Sequence, residues 1–289
     1  MLALLPGLLG QALPSGAEKD DPGSQTKHER LLDIYTHEME GYTIYRDASR
    51  AEKAVLRPKP VYLWSNPLRA GGQDGAVFVW TCRGRAEVVG TAFSFPSKGP
   101  RGLVHELHSL ATTVLDVTRK GAAESGAQTW APRAPGISLA AIPRAPAPAQ
   151  SPAQRLVQMR ALTREFSGTT QDQEKRTWDL RLLPQPLYRY ESSDPDVLDG
   201  GVFAFVSSAG TDPEAILIVE ARKAPGTAAP AWQYGLARYT DMKLRMRHQN
   251  EEVFSAPLLL GSPDFRESYR IFHDREIPAV ENEKTPPGC

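Results

Sequence analysis

DGGVFAF at residues 199–205 and DGAVFVW at residues 74–80 are the stretches on which the reading of this chain turns. Asp74, Gly75, Val77 and Phe78 match Asp199, Gly200, Val202 and Phe203. Moving outward, RPKPVYLW at 57–64 meets LPQPLYRY at 183–190 through Pro58/Pro184, Pro60/Pro186 and Tyr62/Tyr188. HSLA at 108–111 meets YGLA at 234–237, and WAP at 130–132 meets FSAP at 254–257. The matches keep their order at offsets of 125 or 126 residues. Self-similarity at a fixed offset marks a repeated structural unit, and a period this long points to two domains, not a solenoid. Each copy is long enough to bury a core of its own.

Within the second copy, residues 153–166 place Leu156, Met159, Leu162 and Phe166 at helical spacing, as residues 28–45 place Leu32, Tyr35, Met39 and Tyr42 in the first. Strand patterns follow at 178–182, 201–206, 215–219 and 232–247, and Asp199-Gly200 reads as a turn between two of them. Short strands with turn-length connections read as an antiparallel sheet. The expected class is therefore α+β, with two duplicated domains, each an antiparallel sheet of about 4–5 strands carrying one packed helix. The first repeat spans 28–132 and the second 153–275. Residues 133–152 form a Pro/Ala-rich linker, stiff because each proline fixes its own φ and biases the residue before it away from helix. Residues 18–27 and 276–289 read as disordered.

Residues 1–17, MLALLPGLLGQALPSGA, are uncharged and apolar, and a charged stretch follows. The run is shorter than the roughly 20 residues a membrane span needs, and it ends in small residues. It reads as a signal peptide, so the expected address is exported, periplasmic or extracellular. No transmembrane segment is expected in the mature chain. The 34 basic and 34 acidic side chains cancel, which excludes the basic excess of a dedicated nucleic-acid binder. With 40% hydrophobic residues the chain is not generally disordered. Two cysteines, Cys82 and Cys289, exclude a disulfide scaffold, and a buried unpaired Cys82 is expected.

Candidate chemistry is sparse. His105, Glu106 and His108 form H-E-x-H, one residue short of the H-E-x-x-H that sets two histidines on one helix face around zinc. On a strand, His105 and His108 point to opposite faces. These three are the candidate metal residues, with a solvated strand as the structural alternative. Asp194, Asp196 and Asp199 alternate as calcium ligands do, but Asp and Pro also make turns. Tyr188, Arg189, Trp232, Tyr234 and Arg238 are the candidate ligand-binding residues, since aromatic and arginine side chains dominate binding hot spots. Their alternative is sheet core with a wet arginine face. No nucleophile elbow, P-loop or dinucleotide fingerprint occurs, and no cofactor or catalytic residue is assigned.

The segments LRLLPQPLYRYE, DGGVFAFV, DPEAILIVEAR and WQYGLARYT, with the linker PRAPAPAQSPAQRLVQMRALTREF, resemble a family of uncharacterised exported bacterial proteins. The resemblance covers most of residues 100–260. It implies export and the two-part layout, and it carries no site residue across. The expected function is a non-catalytic binding or envelope-associated module, with an envelope component or a carbohydrate as partner. The alternative is a hydrolase built on the degenerate site around His105, Glu106, Leu107 and His108.

Overall fold

Whether an apolar run such as VFVW alternates or not depends on how many faces of its strand are buried. Here both are. The computed structural model describes residues 22–67, 71–97, 99–121, 130–208, 210–223, 226 and 229–279. Residues 1–17, where a signal peptide is expected, and Cys289 lie outside the described residues.

The first half contains helix α1 (Pro22–Glu40) and strands β1 (Tyr42–Tyr45), β2 (Lys53–Leu56), β3 (Tyr62–Asn66), β4 (Gln73–Cys82), β5 (Arg85–Pro96), β6 (Arg101–Ser109) and β7 (Asp116–Arg119). A short strand β8 (Ala140–Ala141) lies in the Pro/Ala-rich stretch. The second half contains helix α2 (Pro152–Thr163) and strands β9 (Phe166–Gln171), β10 (Thr177–Leu182), β11 (Tyr188–Tyr190), β12 (Val197–Ser207), β13 (Pro213–Lys223), β14 (Pro230–Arg238), β15 (Lys243–His248) and β16 (Glu251–Ala256). Strand β17 (Tyr269–Ile277) closes the described chain.

The strands form two curled antiparallel sheets. An 8-stranded sheet runs β17-β6-β5-β4-β2-β1-β7 with β3 also on β4. A 9-stranded sheet runs β16-β15-β9-β10-β12-β13-β14-β8 with β11 also on β12. Without the added edge strands the two orders are the same, β6-β5-β4-β2-β1-β7 against β14-β13-β12-β10-β9-β15. The expected α+β class with 4–5 strands per sheet is thus corrected: the chain is mostly β, with two helices among the described residues. Local periodicity undercounts the strands for two reasons. Their runs lack alternation, and the edge strands come from far along the chain. Strand β17 belongs by position to the second half yet pairs with β6 of the first, Ile271 opposite Glu106.

Alternate residues of β4 and β12 serve different cores. Ala76, Phe78 and Trp80 pack under α1 with Leu31, Tyr35 and Met39. Phe203 and Phe205 pack under α2 with Met159 and Leu162. The residues between them, Val77 and Val79 on one sheet and Val202 and Ala204 on the other, share a third core between the sheets. The layers therefore run helix, sheet, sheet, helix. Helix α2 starts at Ser151, whose side chain accepts from the Gln154 N–H at 3.2 Å, with Pro152 at its first turn. Both helices end short of their expected aromatics: Tyr42 lies in β1 and Phe166 in β9.

Asp199-Gly200 is not the turn its composition suggests. It lies inside β12, and Asp74-Gly75 lies inside β4. Each glycine makes room for a ring from the adjoining short strand, Trp64 opposite Gly75 and Tyr190 opposite Gly200. Each aspartate reaches the helix side. Asp199 is fully buried and holds Arg155 of α2 at 2.7 Å and Arg189 at 2.7 Å. Asp74 holds Lys27 of α1 at 3.6 Å and Arg101 at 3.3 Å. One sequence match does not survive the pairing. His108 stands opposite Val89 and Ala237 opposite Ile216, so His108 corresponds to Ala237 and not to Tyr234.

The linker stretch is docked. Ile137 and Ile142 are buried, and Ala140 and Ala141 pair with Tyr234 and Gln233. Gly136 lies so close to the Ser109 carbonyl that a Cβ would overlap it.

A Cβ at position 200 would stand 2.6 Å from two ring carbons of Tyr190. Gly200→Ala is expected to destabilise the protein by about 1–3 kcal/mol, the usual cost of overpacking a filled site. Urea unfolding measures it, and an unchanged midpoint would contradict the ring-over-glycine packing.

Candidate functional site

The two sheets grip each other through their hairpin tips. The Tyr188 hydroxyl donates to the Gly84 carbonyl at 3.0 Å, and its sequence match Tyr62 donates to the Thr211 carbonyl at 3.1 Å. Each tip also carries a β-bulge at the same place: the register slips between Trp80 and Thr81, and between Phe205 and Val206. The slips put Glu87 and Glu214 at equivalent positions, Ala86 level with Pro213, and Arg85 level with Asp212. The sandwich thus has two ends built from corresponding residues.

One end is closed by Arg85, which is 3% exposed. Its Nε donates to Glu220 Oε1 at 2.7 Å, and its Nη1 to Glu87 Oε2 at 2.9 Å and to the Leu110 and Ala86 carbonyls, each at 3.1 Å. The Tyr190 hydroxyl also binds Glu220. Burial works against the charge on Arg85, but Glu220, Tyr190 and Glu87 outweigh it and keep the guanidinium protonated. Burial raises the Glu87 carboxyl above its usual range, with Arg85 opposing. Removing one partner of such a pair leaves an uncompensated buried charge. Arg85→Met is expected to cost about 3–5 kcal/mol, and Arg85→Met with Glu220→Met in one chain to recover most of it. A double-mutant cycle by chemical denaturation would show additive losses if the pair were not coupled.

The other end is open. A cleft of about 310 Å³ is walled by Trp64, Phe93 and Tyr239 and by the carboxylates of Glu106, Asp212 and Asp241. The Trp64 and Phe93 rings meet at 5.5 Å. Glu106 Oε1 accepts from the Tyr269 hydroxyl at 2.7 Å, and Tyr239 is held by Thr91 at 2.8 Å. Burial pushes the Glu106 carboxyl well above its ordinary range; Tyr269 opposes this, and the nearby charges of Asp241, Asp212 and Glu214 add to it. Asp212 is oriented by the Asn66 amide at 2.7 Å. Among the described residues that line this cleft there is no lysine or arginine.

The structure separates His105 from Glu106 and His108, which share the other face of β6 and both lie against Tyr269. Strand alternation sends His105 to the helix side, where its Nδ1 meets the Tyr42 hydroxyl at 2.9 Å and its Nε2 lies 3.5 Å from Glu38. Glu106 faces the cleft between the sheets. His108 is buried against Tyr269, with Nδ1 2.7 Å from the Ser109 carbonyl. Glu38, His105 and Asp274 do lie within 4.8 Å of one another, a spacing suited to a metal. However, Arg275 binds Glu38 at 2.6 Å, and Arg119 binds Glu38 at 2.7 Å and also Asp274. Burial pushes the Glu38 carboxyl up, but hydrogen bonds from His105 and Arg275 prevail and hold it at about 2. With both carboxylates engaged by guanidinium groups, the cluster is an ion network that ties α1 to the first sheet and does not fit a cation.

The five candidate ligand residues do not converge. Tyr188 is half-buried and spends its hydroxyl on Gly84. Arg189 is tied to Asp199. Trp232 is core under α2, and Tyr234 stacks near Phe166 and His248. Arg238 gives its guanidinium to the Thr240 and Met242 carbonyls and lies over the Tyr269 ring at 5.0 Å. Asp194 lies 3.8 Å from Arg46 and 3.9 Å from Arg222, so the acidic loop is held by arginines. Cys82 is buried and unpaired. Sequence reasoning missed Trp64, Asp212 and Asp241. The signal for the first two was present: Trp64 sits in the repeat match to Tyr190, and aligning the hairpins sets Asp212 against Arg85. Comparison with protein families, curated proteins and solved structures finds no match to this chain.

Burial holds the His108 imidazole down at about 4, against 6.5 when unperturbed, with the Ser109 carbonyl opposing. The unfolded chain therefore binds more protons between these values, and stability falls as pH drops from 6.5 toward 4. The loss attributable to this residue is about 3 kcal/mol at pH 4. His108→Gln should flatten the stability curve over that window in urea unfolding, and a variant curve parallel to the wild type would reject the assignment.

Proposed function

We propose that the chain is a non-catalytic binding module that holds a small ligand in the open-end cleft between its two sheets. The observation that carries this reading is the contrast between the ends. Corresponding residues pack solid around Arg85 at one end and leave about 310 Å³ walled by rings and carboxylates at the other. Ligand pockets favour interfaces between structural units, and this volume is at the small end of their range, on the order of 300–1,000 Å³. The repeated strand order and the shared bulges support a duplicated unit whose two copies have diverged at this point. The apolar stretch 1–17 supports export, and envelope association is the setting that goes with it. Among the described residues no helix is long and apolar enough to cross a membrane.

The test is a thermal-shift panel of small amines, sugars and carboxylic acids on the full chain. A ligand at about 100 times its Kd stabilises by roughly 2.7 kcal/mol, a shift of several degrees. At least one class should produce it in the wild type and not in Val104→Phe, which fills the cleft from its wall. Shifts that survive the substitution, or no shift from any class, would remove the cleft as the binding site.

A further inference from the structure

Each half lends its last strand to the other. Strand β8 follows the first half and pairs with β14 of the second sheet, while β17 follows the second half and pairs with β6 of the first. Strands β6 and β14 hold equivalent places in the two strand orders. Both crossings open on the same spacing, Ala131-Pro132 with Gly136 in one and Ala256-Pro257 with Gly261 in the other. The molecule is thus a strand exchange between two halves of one chain.

Strand β17 is the larger donor. It lies on β6 from Tyr269 opposite His108 to Ile277 opposite Arg101. Tyr269 binds Glu106, Asp274 binds Arg119, and Arg275 binds Glu38 at 2.6 Å, all in the first half. A β17 from a second copy would make the same contacts, so the connection decides which copy supplies it. That connection, residues 257–268, has no buried residue. Between Pro257 and Asp264 its one described backbone hydrogen bond to the rest of the molecule runs from the Leu259 N–H to the Asp241 carbonyl at 2.8 Å. Pro257 and Pro263 fix their own φ and bias the residues before them toward extended backbone. The chain bends at Gly261, at φ +130°, where a Cβ would meet no atom within 4 Å. Two prolines favour a straight course, and one glycine permits the turn back to β6.

We infer that β17 is an exchangeable arm, and that two copies of the chain pair by each laying its β17 on the β6 of the other. Ile271, Phe272 and His273 of β17 wall the open cleft, so in that dimer each cleft is completed by the second copy. In dilute solution the closed monomer dominates, because the connection keeps β17 at high effective concentration near its own β6. The dimer forms when chains fold crowded together. The exchange stands apart from what the cleft binds.

Refolding the full chain from urea at high protein concentration, followed by gel filtration with light scattering, is expected to give monomer and dimer. Gly261→Val should raise the dimer-to-monomer ratio roughly tenfold, because a side chain at that φ resists the bend and clashes with no neighbour. The pairing is read with two chains in which Cys82 and Cys289 are replaced by Ala, one carrying Val104→Cys and the other His273→Cys. The two positions are Cα partners across β6 and β17, within reach of a disulfide. Refolded together and oxidised with diamide, the chains should form a disulfide between unlike copies in the dimer fraction and none in the monomer fraction. A single chain with both substitutions, oxidised before unfolding, should refold only as monomer, since its β17 is locked on its own β6. No dimer from either the wild type or Gly261→Val would overturn the exchange. So would a dimer whose unlike chains fail to cross-link, or one that still forms from the locked chain.

Discussion

The apolar contact between the two sheets is the constraint from which the rest follows. Val77, Val79, Val89, Val202, Ala204, Ile216 and Ile218 are all buried in one core that neither sheet closes alone. Burying each of these valines and isoleucines contributes about 1.5–3 kcal/mol, so the halves stand or fall together. The hairpin tips complete the contact reciprocally, Tyr62 on Thr211 and Tyr188 on Gly84. A self-complementary grip of this kind is what a two-fold pair of identical subunits makes. Here one chain supplies both partners, and the stretch between them is strapped down as β8.

Because the halves are covalently joined, their ends were free to differ. An arginine between two sheets is tolerable only if its charge is met, and Glu220 and Glu87 meet it. At the corresponding place of the other end stands Asp212, held by the Asn66 amide at the wall of the open cleft. The ends therefore differ at corresponding positions, Arg85 against Asp212, Glu220 against Phe93 and Tyr190 against Trp64.

The H-E-x-H stretch shows how composition and geometry diverge. Its three polar side chains are consecutive or nearly so, yet strand alternation gives His105 to the helix layer and Glu106 to the cleft. The partners that decide their states, Glu38, Asp274 and Tyr269, lie 67 or more places away and carry no local signal. The same is true of the candidate binding set, where Trp232 and Arg189 are consumed by the packing of α2.

By itself the sequence determined the matched segments, the helix-then-strands order and the positions of the buried apolar runs, because these follow from local spacing and self-similarity. Even there it misled at Asp199-Gly200, since a glycine that makes space for a ring looks the same as one that makes a turn. Only the tertiary structure decided the number of strands, the partnering of β17 with β6 and which end of the sandwich is open. Those depend on contacts between residues far apart in the chain, and no local periodicity encodes which distant surface a strand face will meet.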